Sequence, residues 1–134
     1  VGMNRLDSLY ELIHGPGLPE EGREMSDDEA VAFVRSRYPD AGYCLVRDWI
    51  WIDLDMPAAQ LTVLEKQRRK PVVLYAHTVI FDSARRWDIG DFVRTSPLTT
   101  FSDGFLFHTW NSVYVLLGNG LKKTASLETV GNIV

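Results

Sequence analysis

Tyr43-Cys44-Leu45-Val46-Arg47-Asp48-Trp49-Ile50-Trp51-Ile52-Asp53-Leu54 is the stretch that decides the fold. Trp49 and Trp51 alternate with Ile50, Ile52 and Leu54, the period-two pattern of a strand, yet both sets are bulky and apolar. A strand of this kind needs cover on both faces. The residues before it read as helical, and those after it as mainly β. Directly after it, Asp55 and Pro57 open a helix over residues 57–69 with Leu61 and Leu64 inward. The run Lys66-Gln67-Arg68-Arg69-Lys70 closes that helix, where positive charge suits the carbonyl end, and Pro71 stops it. Val72 to Phe81 is β-branched, aromatic and nearly continuous in apolar character, which suits a central strand.

Upstream, Leu6, Leu9, Tyr10 and Ile13 are spaced as one helical face, and the pattern stops at Gly15-Pro16-Gly17. Leu18 to Met25, acidic and interrupted by Pro19 and Gly22, reads as an exposed connector. Ser26 and Glu29 form a capping box, with Asp27 and Asp28 favoured by the helix dipole. Val31, Phe33, Val34 and Tyr38 give that second helix its buried side before Pro39. Downstream, Phe92–Thr95 and Leu98–Phe101 read as short strands, Ser102-Asp103-Gly104 as a hairpin turn, and Phe105–Leu117 as the returning strand. Gly118-Asn119-Gly120 reads as a second turn, Leu121–Ala125 as a last edge strand, and Ser126–Val130 as a helical turn. The expected fold is therefore α+β: N-terminal helices packed on a mostly antiparallel β-sheet with one further inserted helix.

The 134 residues, 46% of them hydrophobic, suit a single domain, with a helical part at 3–40 and a β-rich part at 43–134. Val1 and Gly2 precede Met3 and read as a remnant ahead of the natural start. Cys44 is the only cysteine, so an intrachain disulfide is impossible and a cytoplasmic location is expected. No apolar run is long enough to predict a membrane-spanning helix, so no membrane association is expected. Residues 1–65 hold 5 basic and 13 acidic side chains, and residues 66–134 hold 9 and 5, giving halves of −8 and +4. Such halves can complement one another in the fold or leave an acidic and a basic pole.

No phosphate-binding loop, nucleophile elbow, zinc-protease or calcium-loop string occurs. Asp53 and Asp55, with Asp48, offer hard oxygen ligands, but acidic residues at a strand-to-helix junction serve more simply as caps; no metal or cofactor is expected. His77 and His108 fall inside predicted strands, and paired with Asp82 or Asp88 either could serve in acid–base catalysis. His14 complements a helix end. Arg85-Arg86-Trp87 and the 66–70 run carry the ingredients for phosphate contact and base stacking, although the acidic balance disfavours nucleic acid. The densest polar set is Asp91, Arg94, Thr95 and Ser96, followed by Thr109, Asn111, Ser112 and Tyr114. These either converge on a ligand or protein or simply hold two strands together.

Val93-Arg94-Thr95-Ser96-Pro97 and Thr109-Trp110-Asn111-Ser112-Val113-Tyr114-Val115-Leu116-Leu117-Gly118 resemble the paired motifs V-R-T-S-P and T-x-N-[ST]-x-Y-x-L-x-G of an uncharacterised family of small bacterial proteins, some associated with prophages. The resemblance covers residues 71–125. It implies a small accessory or mobile-element protein and transfers no catalytic residue; His108 and Trp110 stand where such sequences often carry other residues. A non-enzymatic protein-binding or regulatory role is thus expected, with Asp91, Arg94, Thr95, Ser96, Thr109, Asn111 and Tyr114 as binding residues. The oligomeric state is left open. A His/Asp enzyme and a nucleic-acid binder are the alternatives.

Overall fold

A computed structural model describes residues 4–133, and the remnant expected at Val1-Gly2 lies outside them. The doubly apolar stretch forms β2 (Tyr43–Asp55), and both of its edges are paired. On one edge lies β3 (Val72–Asp82), antiparallel, with Trp49 opposite Ala76 and Ile52 opposite Val73. The other edge is shared by two strands that succeed each other in the chain and run parallel to β2. β7 (Val113–Leu116) pairs from Tyr43 to Val46, and β8 (Asn119–Ser126) from Ile50 to Asp55. Beyond them, β6 (Leu106–His108) and β5 (Thr100–Ser102) extend antiparallel from β7, and β1 (Leu18–Glu21) extends antiparallel from β8. β4 (Val93–Arg94) lines the outer edge of β3. The chain from β4 to β5 then crosses the gap, since Leu98 donates its amide to the Val72 carbonyl and Thr99 to that of His108, both at 2.8 Å. The mixed sheet therefore curls back on itself.

Strand alternation divides β2 between two cores. Cys44, Val46 and Trp49 join Leu74 and Ala76 of β3, Phe105, Phe107 and Val115, under the helix α2 (Asp27–Arg37), which contributes Ala30 and Val34. Ile50, Ile52 and Leu54 join Val73 and Tyr75 on the opposite face, covered by Leu12 of α1 (Arg5–His14) and by Val130 and Ile133 at α4 (Leu127–Gly131). α3 (Ala58–Lys66) links β2 to β3 and buries Leu64. The capping box of α2 is formed, with the Glu29 amide donating to Ser26 Oγ at 3.2 Å and the Ser26 amide to Glu29 Oε1 at 3.3 Å. Strands outnumber helices, and the helices lie on opposite faces of the sheet rather than together on one. No helix among the described residues is long and apolar enough to cross a membrane.

Several expectations are corrected by pairing that sequence cannot encode locally. Leu18–Glu21 is exposed but is a strand, because the backbone of β8 offers it an edge. In α1 the covered side is Leu9, Leu12 and Ile13, whereas Leu6 and Tyr10 face out. The returning strand is broken into β6 and β7 by a turn at 109–112, whose Thr109 amide bonds the Ser112 carbonyl at 2.9 Å. Gly118, at φ 67°, kinks the chain between β7 and β8 without reversing it, so β8 lies between β1 and β2 and is not an edge. Asp103 and Gly104 do take positive φ in the β5–β6 hairpin, at 55° and 76°. The N-cap of α3 is Pro57 with no side-chain bond, while Asp53 accepts from Trp51 Nε1 at 3.1 Å and pairs with Lys122 at 3.8 Å. That last contact joins the acidic half to the basic one; Arg37–Asp103, at 3.3 Å, joins them in the opposite sense.

Gly120 sits against the Trp49 ring, and a Cβ there would collide with the indole and with the Trp49 carbonyl oxygen. Gly120→Ala is expected to lower unfolding stability in urea by about 1–3 kcal/mol. Gly131→Ala, where a Cβ meets nothing within 4 Å, should be neutral or stabilising by about 0.5 kcal/mol.

Candidate functional site

The polar set named from sequence divides into groups used by the fold and groups offered to solvent. Thr95 is buried: its Oγ1 accepts from the Leu74 amide at 3.0 Å and donates to the Ser96 carbonyl at 2.8 Å, tying the end of β4 to β3. Thr109, also buried, belongs to the β6–β7 turn together with exposed Asn111. Tyr114 is buried in the α2-side core, where its ring lies 6.3 Å from Trp87 and 6.0 Å from the Arg86 guanidinium. Burial, first of all, pushes the Tyr114 hydroxyl up to about 12, against the opposing effect of Arg86.

Arg86 is the hub of this buried group. Its Nε and a terminal nitrogen reach both oxygens of Asp82 at 3.2 and 3.0 Å, and its backbone amide donates to the same carboxylate at 2.7 Å. Its guanidinium also lies 4.4 Å above the Trp87 ring. Burial pushes the Asp82 carboxyl up, but the hydrogen bonds and charge of Arg86 outweigh this and hold it below the usual carboxylate range. Cys44, beside the pair, has its thiol pushed up to about 12, chiefly by burial, with the Asp82 charge adding to it and Arg86 opposing. This arrangement clamps the loop after β3 and leaves a thiol too protonated to act as a nucleophile.

Neither histidine shares a hydrogen bond or ion pair with Asp82 or Asp88 among the described residues. His108 Nε2 lies 2.8 Å from Ser102 Oγ, with Tyr38 edge-on to its ring; burial lowers its pKa, and Asp103 opposes that. His77 Nδ1 lies 3.4 Å from the Tyr75 hydroxyl, and Asp88 turns its amide to Asp91 Oδ2 at 2.9 Å. Of the basic groups, Arg86 is taken up by Asp82, and Arg69 stacks 3.8 Å over the exposed ring of Trp110.

Asp91 and Arg94 in the first half of the motif reach solvent, as Asn111 does in the second. Arg94 lies opposite Tyr75 in the register, on the face of the sheet covered elsewhere by α1, and is exposed. It has no hydrogen-bond or ion-pair partner among the described residues. With Asp91, Phe92, Val93, Trp87 and Ile133 it lines an open hollow of about 590 Å³. Beside it runs a continuous row of rings: Phe92 stacks on Tyr75 at 6.0 Å, Tyr75 meets His77 at 4.9 Å, His77 stacks on His14 at 5.7 Å, and His14 meets Tyr10 at 4.9 Å. Its two ends, Phe92 and Tyr10, are 44% and 64% exposed, and neighbouring Ile89 is 76% exposed. Sequence reasoning named His14, His77 and Arg94 but missed the row. The i,i+4 pair Tyr10/His14 and the i,i+2 pair Tyr75/His77 were each legible, but not their meeting across α1 and β3.

The fold and this surface define an α+β protein built on a curled mixed sheet, with no assembled His/Asp pair among the described residues. The chain belongs to the family described as a domain of unknown function, DUF6957, whose model matches residues 20–132. That match begins within β1, well before the paired motifs, and takes in α2 and β2. No curated protein and no solved structure matches the chain.

Replacing Arg86 with Met leaves the Asp82 carboxylate buried without its counter-ion, and should cost about 3 kcal/mol in urea unfolding. The pH profile supplies a second check. A depressed acid contributes stability that is complete above its unfolded pKa near 3.8 and is lost as pH falls through the folded value. Wild type should therefore lose stability below about pH 4, and Arg86→Met should lose less over the same interval.

Proposed function

We propose that this chain is a non-catalytic, cytoplasmic binding or regulatory protein that meets another protein through the face carrying Phe92 and Arg94. The paired-motif resemblance supports reading it further as a small bacterial accessory protein encoded by a mobile element. The observation that carries the reading is the exposed end of the ring row beside Arg94, a cation without a hydrogen-bond or ion-pair partner among the described residues. Monomeric surfaces scatter single apolar side chains, but exposed Phe92 lines one hollow with Arg94, and Ile89, three residues earlier in the chain, is exposed as well. Asp91 is partly occupied by the Asp88 amide, so Arg94 is the group left to make a new ion pair. The complementary partner surface presents an apolar side chain next to a carboxylate. Aromatic and arginine side chains are the residue types that anchor such contacts.

The test compares captures from a lysate of the source cell by wild type, Phe92→Ala, Arg94→Glu and, as a control on a different surface, Trp110→Ala. A species retained by wild type and by Trp110→Ala should be lost with Arg94→Glu and weakened about tenfold or more with Phe92→Ala. The four proteins should melt within a few degrees of one another, because the altered side chains are exposed. Equal retention by all four would overturn the assignment of this face.

A further inference from the structure

On the other face of β2 the two indoles that made the strand legible have a second consequence. Trp49 and Trp51, with Phe101 of β5, wall a cavity of about 160 Å³ whose floor is Leu116 and whose rim includes Gly104, Glu20, Glu21 and Lys122. The Trp51 and Phe101 rings stand at 83° with centroids 5.0 Å apart, so one presents a face where the other presents an edge. Both indole N–H groups are already used: Trp51 Nε1 donates to Asp53 Oδ1 at 3.1 Å and Trp49 Nε1 to the Gly118 carbonyl at 3.3 Å. The rings are thereby fixed in orientation; Trp49 is buried, so half-buried Trp51 and exposed Phe101 are the aromatic walls most open to the cavity. Phe107 braces Trp51 from behind at 5.5 Å.

The charge of the rim selects among ligands. Glu20 and Glu21, both exposed on the edge strand β1, have no hydrogen-bond or ion-pair partner among the described residues. Lys122 is turned to Asp53, 3.8 Å away. Aromatic walls attract a cation through the ring quadrupole, and a carboxylate at the mouth adds to that attraction; strand alternation puts the Glu20 side chain, opposite Gly120, on the Trp49/Trp51 face and that of Glu21 on the other. An anion would meet the negative ring faces and Glu20, with Lys122 already turned to Asp53. At about 160 Å³ the cavity falls below the roughly 300–1,000 Å³ of sites that enclose whole drug-sized molecules, so it takes a head group rather than an entire ligand.

We infer that the Trp49–Trp51–Phe101 cavity is a binding site for a methylated or quaternary ammonium head, held by the aromatic walls and by Glu20. Such a head is carried either by a small molecule of the choline type or by a methylated lysine in a polypeptide. The cavity lies on the opposite face of β2 from the Phe92/Arg94 surface, so either site can fail without the other.

The test monitors the indole N–H resonances of Trp49 and Trp51 in the intact chain during titration with choline chloride. Its uncharged isostere 3,3-dimethylbutan-1-ol is titrated in parallel, with sodium chloride as the ionic-strength control. Choline is expected to shift the Trp51 resonance saturably, with a dissociation constant tighter than about 10 mM. The isostere should bind about tenfold more weakly or not at all, because it has the shape without the charge. Phe101→Ala and Glu20→Gln should each weaken choline about tenfold. Glu20 is exposed, so its variant keeps the fold and its resonances report binding alone. A glycine-serine peptide carrying one trimethyllysine, against the same peptide with plain lysine, separates the sources. Tighter binding of the methylated peptide than of choline assigns the head to a polypeptide, and equal or weaker binding assigns it to a small molecule. No saturable shift, equal binding of the isostere, or an affinity unchanged in both variants would overturn the site.

Discussion

Everything in this molecule depends on β2 being hydrogen-bonded along both edges and buried on both faces. Its thirteen residues pair antiparallel with β3 and parallel with β7 and β8, and no other strand among the described residues has three partners. Each fully covered aliphatic side chain on it, such as Ile52 or Leu45, contributes about 1.5–3 kcal/mol relative to exposure. Those contributions require α2 on one side and α1 with α4 on the other. The positions of the helices, the curl of the sheet and the placing of every surface feature come from satisfying this one strand.

The parallel pairing has a further effect. Because β7 and β8 succeed one another along the same edge of β2, the chain between them must shift without turning back, and Gly118 takes the positive φ that permits it. β6 and β1 are then free to extend from different halves of that edge, which brings Glu20 toward the Trp49 and Trp51 rings. A hairpin at the same point would have sent β8 away from β2 and left no such cavity.

The Asp82–Arg86 pair, with its carboxylate buried and its guanidinium partly exposed, shows how a polar motif can belong to the fold. Its carboxylate has a fully buried side chain, yet it receives three bonds from a single residue four positions on, so charge and geometry are both satisfied locally. Tyr114, in the second half of the apparent binding motif, packs against that pair. Residues that looked like one constellation therefore serve two purposes: Thr95, Thr109 and Tyr114 hold strands and turns, and Arg94 faces solvent.

The capping box at Ser26, the strand at 43–54 with its two apolar faces, the presence of a helix after it and the Asp-Gly hairpin were all determined by sequence alone, although that helix ends at Lys66, at the start of the basic run, and not at 69. Each depends on contacts within a few residues or on a periodicity that local backbone geometry imposes. The tertiary structure alone decided which strands are neighbours, that Gly118 kinks rather than reverses the chain, that Leu18–Glu21 finds an edge, and that Tyr10, His14, His77, Tyr75 and Phe92 form one row. Those outcomes rest on backbone groups and rings meeting across long separations, as Leu18 meets Lys122 and His14 meets His77, where pairing is chosen by the burial of the whole sheet.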